Sequence, residues 1–191
     1  MKSIILWGIA VLSLSTAFAQ GHASTFQQPV KGELYTMEKQ PELYCLAMNI
    51  YFEARAEPIA GQYAVSDVVL NRVQDNRYPN TICEVVMEGP IRESWKTRKD
   101  PNLTDSERTY YPIKHRCQFS WFCDGKSDNP KQVIPYNNML EFARMILSGE
   151  VSFLDITDGA LFYHADYVRP AWAKTKKRTI EIEDHIFYRL K

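Results

Sequence analysis

Glu53 is the carboxylate whose setting first suggests chemistry. Helical residues follow one another at about 100°, so Leu46, Ile50, Glu53 and Glu57 share one narrow stripe of an apolar-periodic run. A carboxyl on such a stripe loses solvation, which raises its pKa and keeps it protonated nearer neutral pH. That is what a general acid requires, above all one that protonates the leaving oxygen of a sugar. Arg55 falls about 200° round the same helix and is expected to point elsewhere. The competing reading is a Glu paired with a cation at a helix end, the usual fate of helix charges. Glu57 either joins Glu53 as a second carboxylate or, as expected here, serves the N-terminus of the next helix beside Pro58.

A second group of candidates lies in Cys117-Gln118-Phe119-Ser120-Trp121-Phe122-Cys123-Asp124-Gly125. Aromatic rings and neutral amides suit the faces and hydroxyls of sugars; the plainer reading is a disulfide-tied core segment. Tyr163 and His164 close a predicted strand, and Trp172 and His185 follow. A lone His is more often structural than catalytic. There is no G-x-S-x-G nucleophile motif and no H-E-x-x-H, and His164 and His185 stand 21 residues apart. A zinc hydrolase would have to gather its ligands from distant positions.

The elements that must position these groups can be read coarsely. Pro41 opens a helix over 41–55, with Leu43, Leu46, Ala47, Ile50, Tyr51 and Ala54 on its apolar face. After Pro58, a second helix carries Ala60, Tyr63, Ala64, Val68 and Val73. Val65, Val69 and Leu70 widen its face, so it should be buried on most sides. The polar stretch 88–116 is too long for a plain connection, so it is a functional flap or holds structure of its own. A third helix is predicted over 136–147, after Pro135 and before Gly149. Ala160 to His164, Thr179 to Glu183, and Ile186-Phe187-Tyr188 carry strand signals. The predicted class is α+β, mainly helical, with a small antiparallel sheet toward the C-terminus.

Composition narrows the function. The chain has 191 residues, 23 Lys+Arg against 23 Asp+Glu, and 13% aromatics, so it is neither basic enough for nucleic acid nor disordered. No nucleotide-binding glycine motif occurs. Lys2, an apolar run from Ile4 to Leu12 and the small-x-small ending Ala17-Phe18-Ala19 read as a signal peptide cut after Ala19. An uncleaved anchor is the alternative, but the run is short of the ~20 residues needed to span a bilayer. Removing 1–19 takes away only Lys2 and leaves a formal charge of −1. Residues 20–40 form a lead-in to one domain over 41–191. Export makes the four cysteines readable as two disulfides of open connectivity. A zinc site on His115, Cys117 and Cys123 is disfavoured by the C-x5-C spacing.

The ordered blocks resemble a known family. Tyr51-Phe52-Glu53-Ala54-Arg55-Ala56-Glu57-Pro58, Gly61-Gln62-Tyr63-Ala64-Val65 and Val69-Leu70-Asn71-Arg72-Val73 are similar to the E-A-R-G-E-P…G-Q-x-A-V…V-x-N-R-V block of SleB-like cell wall hydrolases. The likeness continues through Tyr78 to Val86, the Cys117 to Gly125 segment, Gly159 to His164, Trp172 and His185 to Tyr188. It thus spans about 43–189. The resemblance implies a lysozyme-like, lytic-transglycosylase-related domain acting on peptidoglycan glycan strands. It places the catalytic glutamate on Glu53. The sugar groove would take Gln118 with its neighbours Phe119 and Ser120, and also Tyr163, His164 and Trp172. Two departures stand out. Ala56 replaces a usual Gly, and Glu183-Asp184-His185 replaces a usual Gly-Asn-His.

The implied reaction cuts the bond between N-acetylmuramic acid and N-acetylglucosamine, with Glu53 as acid and then base. A transglycosylase ends in a 1,6-anhydro sugar; a muramidase uses water and usually a second carboxylate. Glu57, Asp67 and Asp124 are candidates for that partner, and none has clear standing. No metal or other cofactor is expected, nor nucleic acid or stable membrane insertion, and the protein should be a secreted or periplasmic monomer. An N-acetylmuramoyl-L-alanine amidase and a non-catalytic peptidoglycan-binding protein are the alternatives.

Overall fold

The structure, a computed structural model, describes residues 36–151 and 154–191. The signal peptide expected at 1–19 and most of the lead-in lie outside the described residues. Helix α1 (Pro41–Ala54) begins with Pro41, whose missing N–H is no loss in a first turn. It ends one residue earlier than expected, with Arg55 at its C-cap. From Leu43 to Tyr51 only Tyr44 escapes full burial, so α1 is the central helix and is enclosed more widely than its stripe suggests.

Helix α2 (Ile59–Gln74) starts after Pro58 and packs back on the chain leaving α1. A Cβ on Gly61 would sit 2.8 Å from the Glu57 Cβ, so only glycine permits this approach. Gln62 Nε2 donates to the Glu57 carbonyl at 2.8 Å. Glu57 therefore belongs to the start of α2, as expected. Ala56 is not among the residues with positive φ, so alanine is unstrained there.

Helix α3 (Ile82–Val86) is capped by Thr81, whose hydroxyl accepts from the Glu84 N–H. The 88–116 stretch holds structure of its own. Strands β1 (Ile91–Glu93) and β2 (Tyr110–Pro112) pair antiparallel. Between them lie the short helix α4 (Trp95–Arg98) and a 3-10 turn, and Arg108 bridges Glu93 at 2.8 Å. Helix α5 (Val133–Ser148) begins three residues before the predicted start. Pro135 lies inside its first turn, where proline is tolerated, and does not precede it. Gly149 ends it at φ 74°, the left-handed conformation that suits glycine.

Strands β3 (Phe162–Ala165), β4 (Lys177–Ile182) and β5 (His185–Arg189) form an antiparallel sheet in the order β3-β5-β4. Tyr163 pairs with Phe187, and His164 with Ile186. The β4–β5 turn is Glu183-Asp184, and Glu183 takes φ 49°. A residue with a Cβ is strained at that angle, which favours the glycine that the family resemblance leads one to expect there.

The main core gathers α1, α2, α3, α5 and Trp121. A smaller cluster of Ala64, Val68, Ala160 and Phe187 fastens α2 to the sheet. Polar groups of α2 reinforce that join. Asn71 Nδ2 donates to the Ala160 carbonyl at 3.2 Å, and Arg72 Nε to the Leu161 carbonyl at 2.9 Å. Cys45 is bonded to Cys83, tying α1 to α3, and Cys117 to Cys123, closing a short loop round Gln118. The architecture is the α+β class read from the sequence.

Candidate active site

The last turn of α1 delivers Glu53 to a cleft of about 400 Å³ whose opposite wall is the sheet. The α2–sheet join sets the position of β3, and β3 brings Tyr163 to Glu53. The Tyr163 hydroxyl donates to Glu53 Oε2 at 3.1 Å. The carboxyl is enclosed by its surroundings, and that burial raises its pKa. The Tyr163 hydrogen bond and the Arg72 charge oppose the shift without cancelling it. Burial, and then the charge of Glu53, push the Tyr163 phenol well above its ordinary value, so it stays a donor.

Arg72 is the strongest site residue that the sequence reading did not single out. It lines the cleft yet is only 4% exposed. Its guanidinium lies over the rings of Tyr78 and Phe119, at 5.3 and 5.2 Å from their centroids. Nη1 is buried and has no hydrogen-bond partner among the described residues. A desolvated cation beside Glu53 favours the carboxylate form that a base must reach.

Every other predicted site residue also lines this cleft. Gln118 and Ser120 are exposed, held by the Cys117–Cys123 loop, while Phe119 is 2% exposed and forms the floor under Arg72. His164 Nδ1 donates to the Ala165 carbonyl at 2.8 Å. Its Nε2 lies 3.0 Å from the Tyr188 hydroxyl. Trp172 stands edge-on to His164 and Tyr188 and tilted against Phe162, making an aromatic wall. His185, whose role the Glu183-Asp184-His185 departure left open, is buried against the edge of the Tyr163 ring. Burial lowers its pKa, so the ring is held neutral.

The remaining carboxylate candidates lie elsewhere. Asp124 pairs with Lys126, and Asp67 is buried on α2, where it accepts from the Ile156 N–H at 2.8 Å. Arg55 turns away from Glu53, donates to the Tyr51 carbonyl and covers the Tyr51 ring. Among the described residues, no group of three His, Cys, Asp or Glu is placed to hold a metal ion. No helix among them is long and apolar enough to cross a membrane.

The fold that carries this cleft is similar to that of two solved catalytic domains. The chain is similar to the catalytic domain of the germination-specific lytic transglycosylase SleB from Bacillus anthracis. Identity is 26%, with 78% of this chain and 95% of that one covered, at a TM-score of 0.51. The catalytic domain of the Bacillus cereus SleB protein matches at 26% identity over 78% of this chain and 91% of that one, at a TM-score of 0.50.

Residues 56–188 match the cell wall hydrolase family, and the chain belongs to it. Glu53 stands three residues before the matched stretch. Spore cortex-lytic enzymes are similar over a short block. That of Bacillus cereus is 43% identical over 49 residues, 26% of this chain and 19% of that protein. That of Bacillus subtilis is 40% identical over 47 residues, 25% of this chain and 15% of that protein. The matched block thus spans less than a fifth of these curated relatives.

Proposed function

We propose that the protein cuts the glycan strands of peptidoglycan as a lytic transglycosylase, with Glu53 as both acid and base. One observation carries the choice: Glu53 is the only acidic residue lining the cleft among the described residues. A water-using glycosidase usually needs a second carboxylate across the bond, to act as base or nucleophile. An internal hydroxyl as nucleophile removes that need.

In this scheme Glu53 gives its proton to the glycosidic oxygen as the bond from that oxygen to the muramic acid C1 breaks. The resulting carboxylate is held by the Tyr163 hydroxyl and favoured by the Arg72 charge. It then takes the proton of the muramic acid 6-hydroxyl as that oxygen bonds to C1. The products are a 1,6-anhydro end and a free 4-hydroxyl, and Glu53 is again protonated. Gln118 and Ser120 offer neutral hydrogen bonds to sugar hydroxyls, and Trp172 a face for a sugar ring. Likeness to a domain named as a lytic transglycosylase supports the same reading. Export is part of the proposal, supported by two disulfides and the 1–19 pattern.

Digestion of purified peptidoglycan in ¹⁸O-water tests the scheme. Anhydro ends free of label are expected. Labelled reducing ends would mean a muramidase, and free stem peptides an amidase.

A further inference from the structure

A second cleft, of about 350 Å³, adjoins the first. The two share a wall. Glu53 and Ser120 face the catalytic cleft, and their chain neighbours Phe52 and Trp121 face the other. Phe52 and Trp121 stack at 4.7 Å and form its floor with Tyr51. Its rim is the loop 124–132. Tyr51 fixes that rim, its hydroxyl accepting from the backbone N–H groups of Lys131 and Gln132 at 3.1 Å each.

We propose that this cleft binds the peptide stem carried by the glycan strand, an inference that rests on the peptidoglycan reading above. The two clefts differ in chemistry. Beside Glu53 and Arg72, the catalytic cleft offers neutral amide, hydroxyl and aromatic groups, which suit sugars. The second cleft is rimmed by Arg55, Asp124, Lys126, Asp128 and Lys131. Asp124 and Lys126 pair at 3.2 Å. Among the described residues no ion pair holds Arg55 or Lys131, and Asp128 is half-buried on the same rim. A neutral sugar gains little from such a rim. A short peptide with free carboxylates and an amine meets both signs, with its carboxylates on Arg55 and Lys131 and its amine on Asp128. The volume suits a ligand of a few residues. A stem hangs from the muramic acid next to the cut bond, so the shared wall brings it within reach.

Trp121 and Trp172 report separately on the two clefts. In ¹⁵N-labelled protein, a free tetrapeptide stem should shift the Trp121 indole signal and leave Trp172 in place. The double variant R55Q/K131E should weaken that binding by at least about tenfold, the scale of a single lost charge-assisted hydrogen bond where two are removed. A peptide-free glycan oligomer should shift Trp172 alone. Peptide shifts at Trp172 only, or at neither, would overturn the proposal. So would glycan shifts at Trp121, which would make the cleft a sugar subsite, or unchanged peptide affinity in the variant. The titration needs no turnover, so loss of the peptidoglycan-cutting reading would show separately as failure to release fragments.

Discussion

The Tyr163 hydroxyl on β3 meets the Glu53 carboxyl at the end of α1, 3.1 Å away and 110 residues on in the chain. One oxygen of the acid is thereby fixed. Replacing Tyr163 with Phe keeps the ring but removes the donor. We expect kcat to fall on the order of 10- to 100-fold, the scale of a misoriented catalytic group. The hydrogen bond lowers the Glu53 pKa, so its loss raises that pKa further. Activity needs the protonated acid and is lost as pH rises through its pKa, so the alkaline limb should move up. A pH profile of kcat on purified peptidoglycan checks both.

Arg72 acts on the same carboxyl through its charge. In Arg72→Met that charge is gone, and the alkaline limb should again move to higher pH. Arg72→Lys should hold the limb near its original position while losing the Nε bond to the Leu161 carbonyl. Comparing the two pH profiles, alongside thermal unfolding, separates the electrostatic role from the structural one.

The two disulfides should separate in the same way. Cys45–Cys83 closes 38 residues and Cys117–Cys123 closes 6. By loop entropy the first is worth about 4 kcal/mol and the second about 2 kcal/mol. The double Ser variant of the first pair should lose the most thermal stability. The double Ser variant of the second should lose more kcat/KM than its stability loss explains, because its loop holds Gln118 and Ser120 at the cleft.

Asp67 gives a pH dependence of stability distant from catalysis. Burial, with Asp155 close by, pushes its pKa from 3.8 to about 8. The folded state therefore holds a proton that the unfolded chain releases, so stability falls as pH rises from about 4 to about 8 and then levels. Asp67→Asn keeps an acceptor for the Ile156 N–H and cannot ionise. It should raise the unfolding midpoint at pH 8 and change little at pH 4, as scanning calorimetry would show.

Glu53 was legible in the sequence because its signal is local: a carboxyl on an apolar helical stripe. The helices and strands were legible for the same reason, since their periodicities lie in neighbouring residues. Gln118, Tyr163, His164 and Trp172 come to one cleft as the family resemblance implied, though spacing alone could not bring them together. Arg72 escaped notice because it reads as the polar edge of α2. Its burial exists only once Phe119, Tyr78 and the segment before β3 close over it. The disulfide pairing is likewise a property of tertiary packing. In 88–116 the strands are three residues long, too short for any alternation to show. Pro135 reads as a boundary in the sequence, yet a helix's first turn accepts proline and the helix begins at Val133. The strained Glu183 was visible as a departure from the family pattern, but its φ gives the physical reason.

The central claim is that Glu53 performs the bond cleavage. The most direct test is mass spectrometry of fragments released from purified peptidoglycan by the wild type and by Glu53→Gln, whose folding is confirmed by matching circular dichroism and unfolding midpoint. The account predicts anhydro-muropeptides from the wild type and none above background from the variant. Undiminished release by a folded Glu53→Gln protein would contradict it.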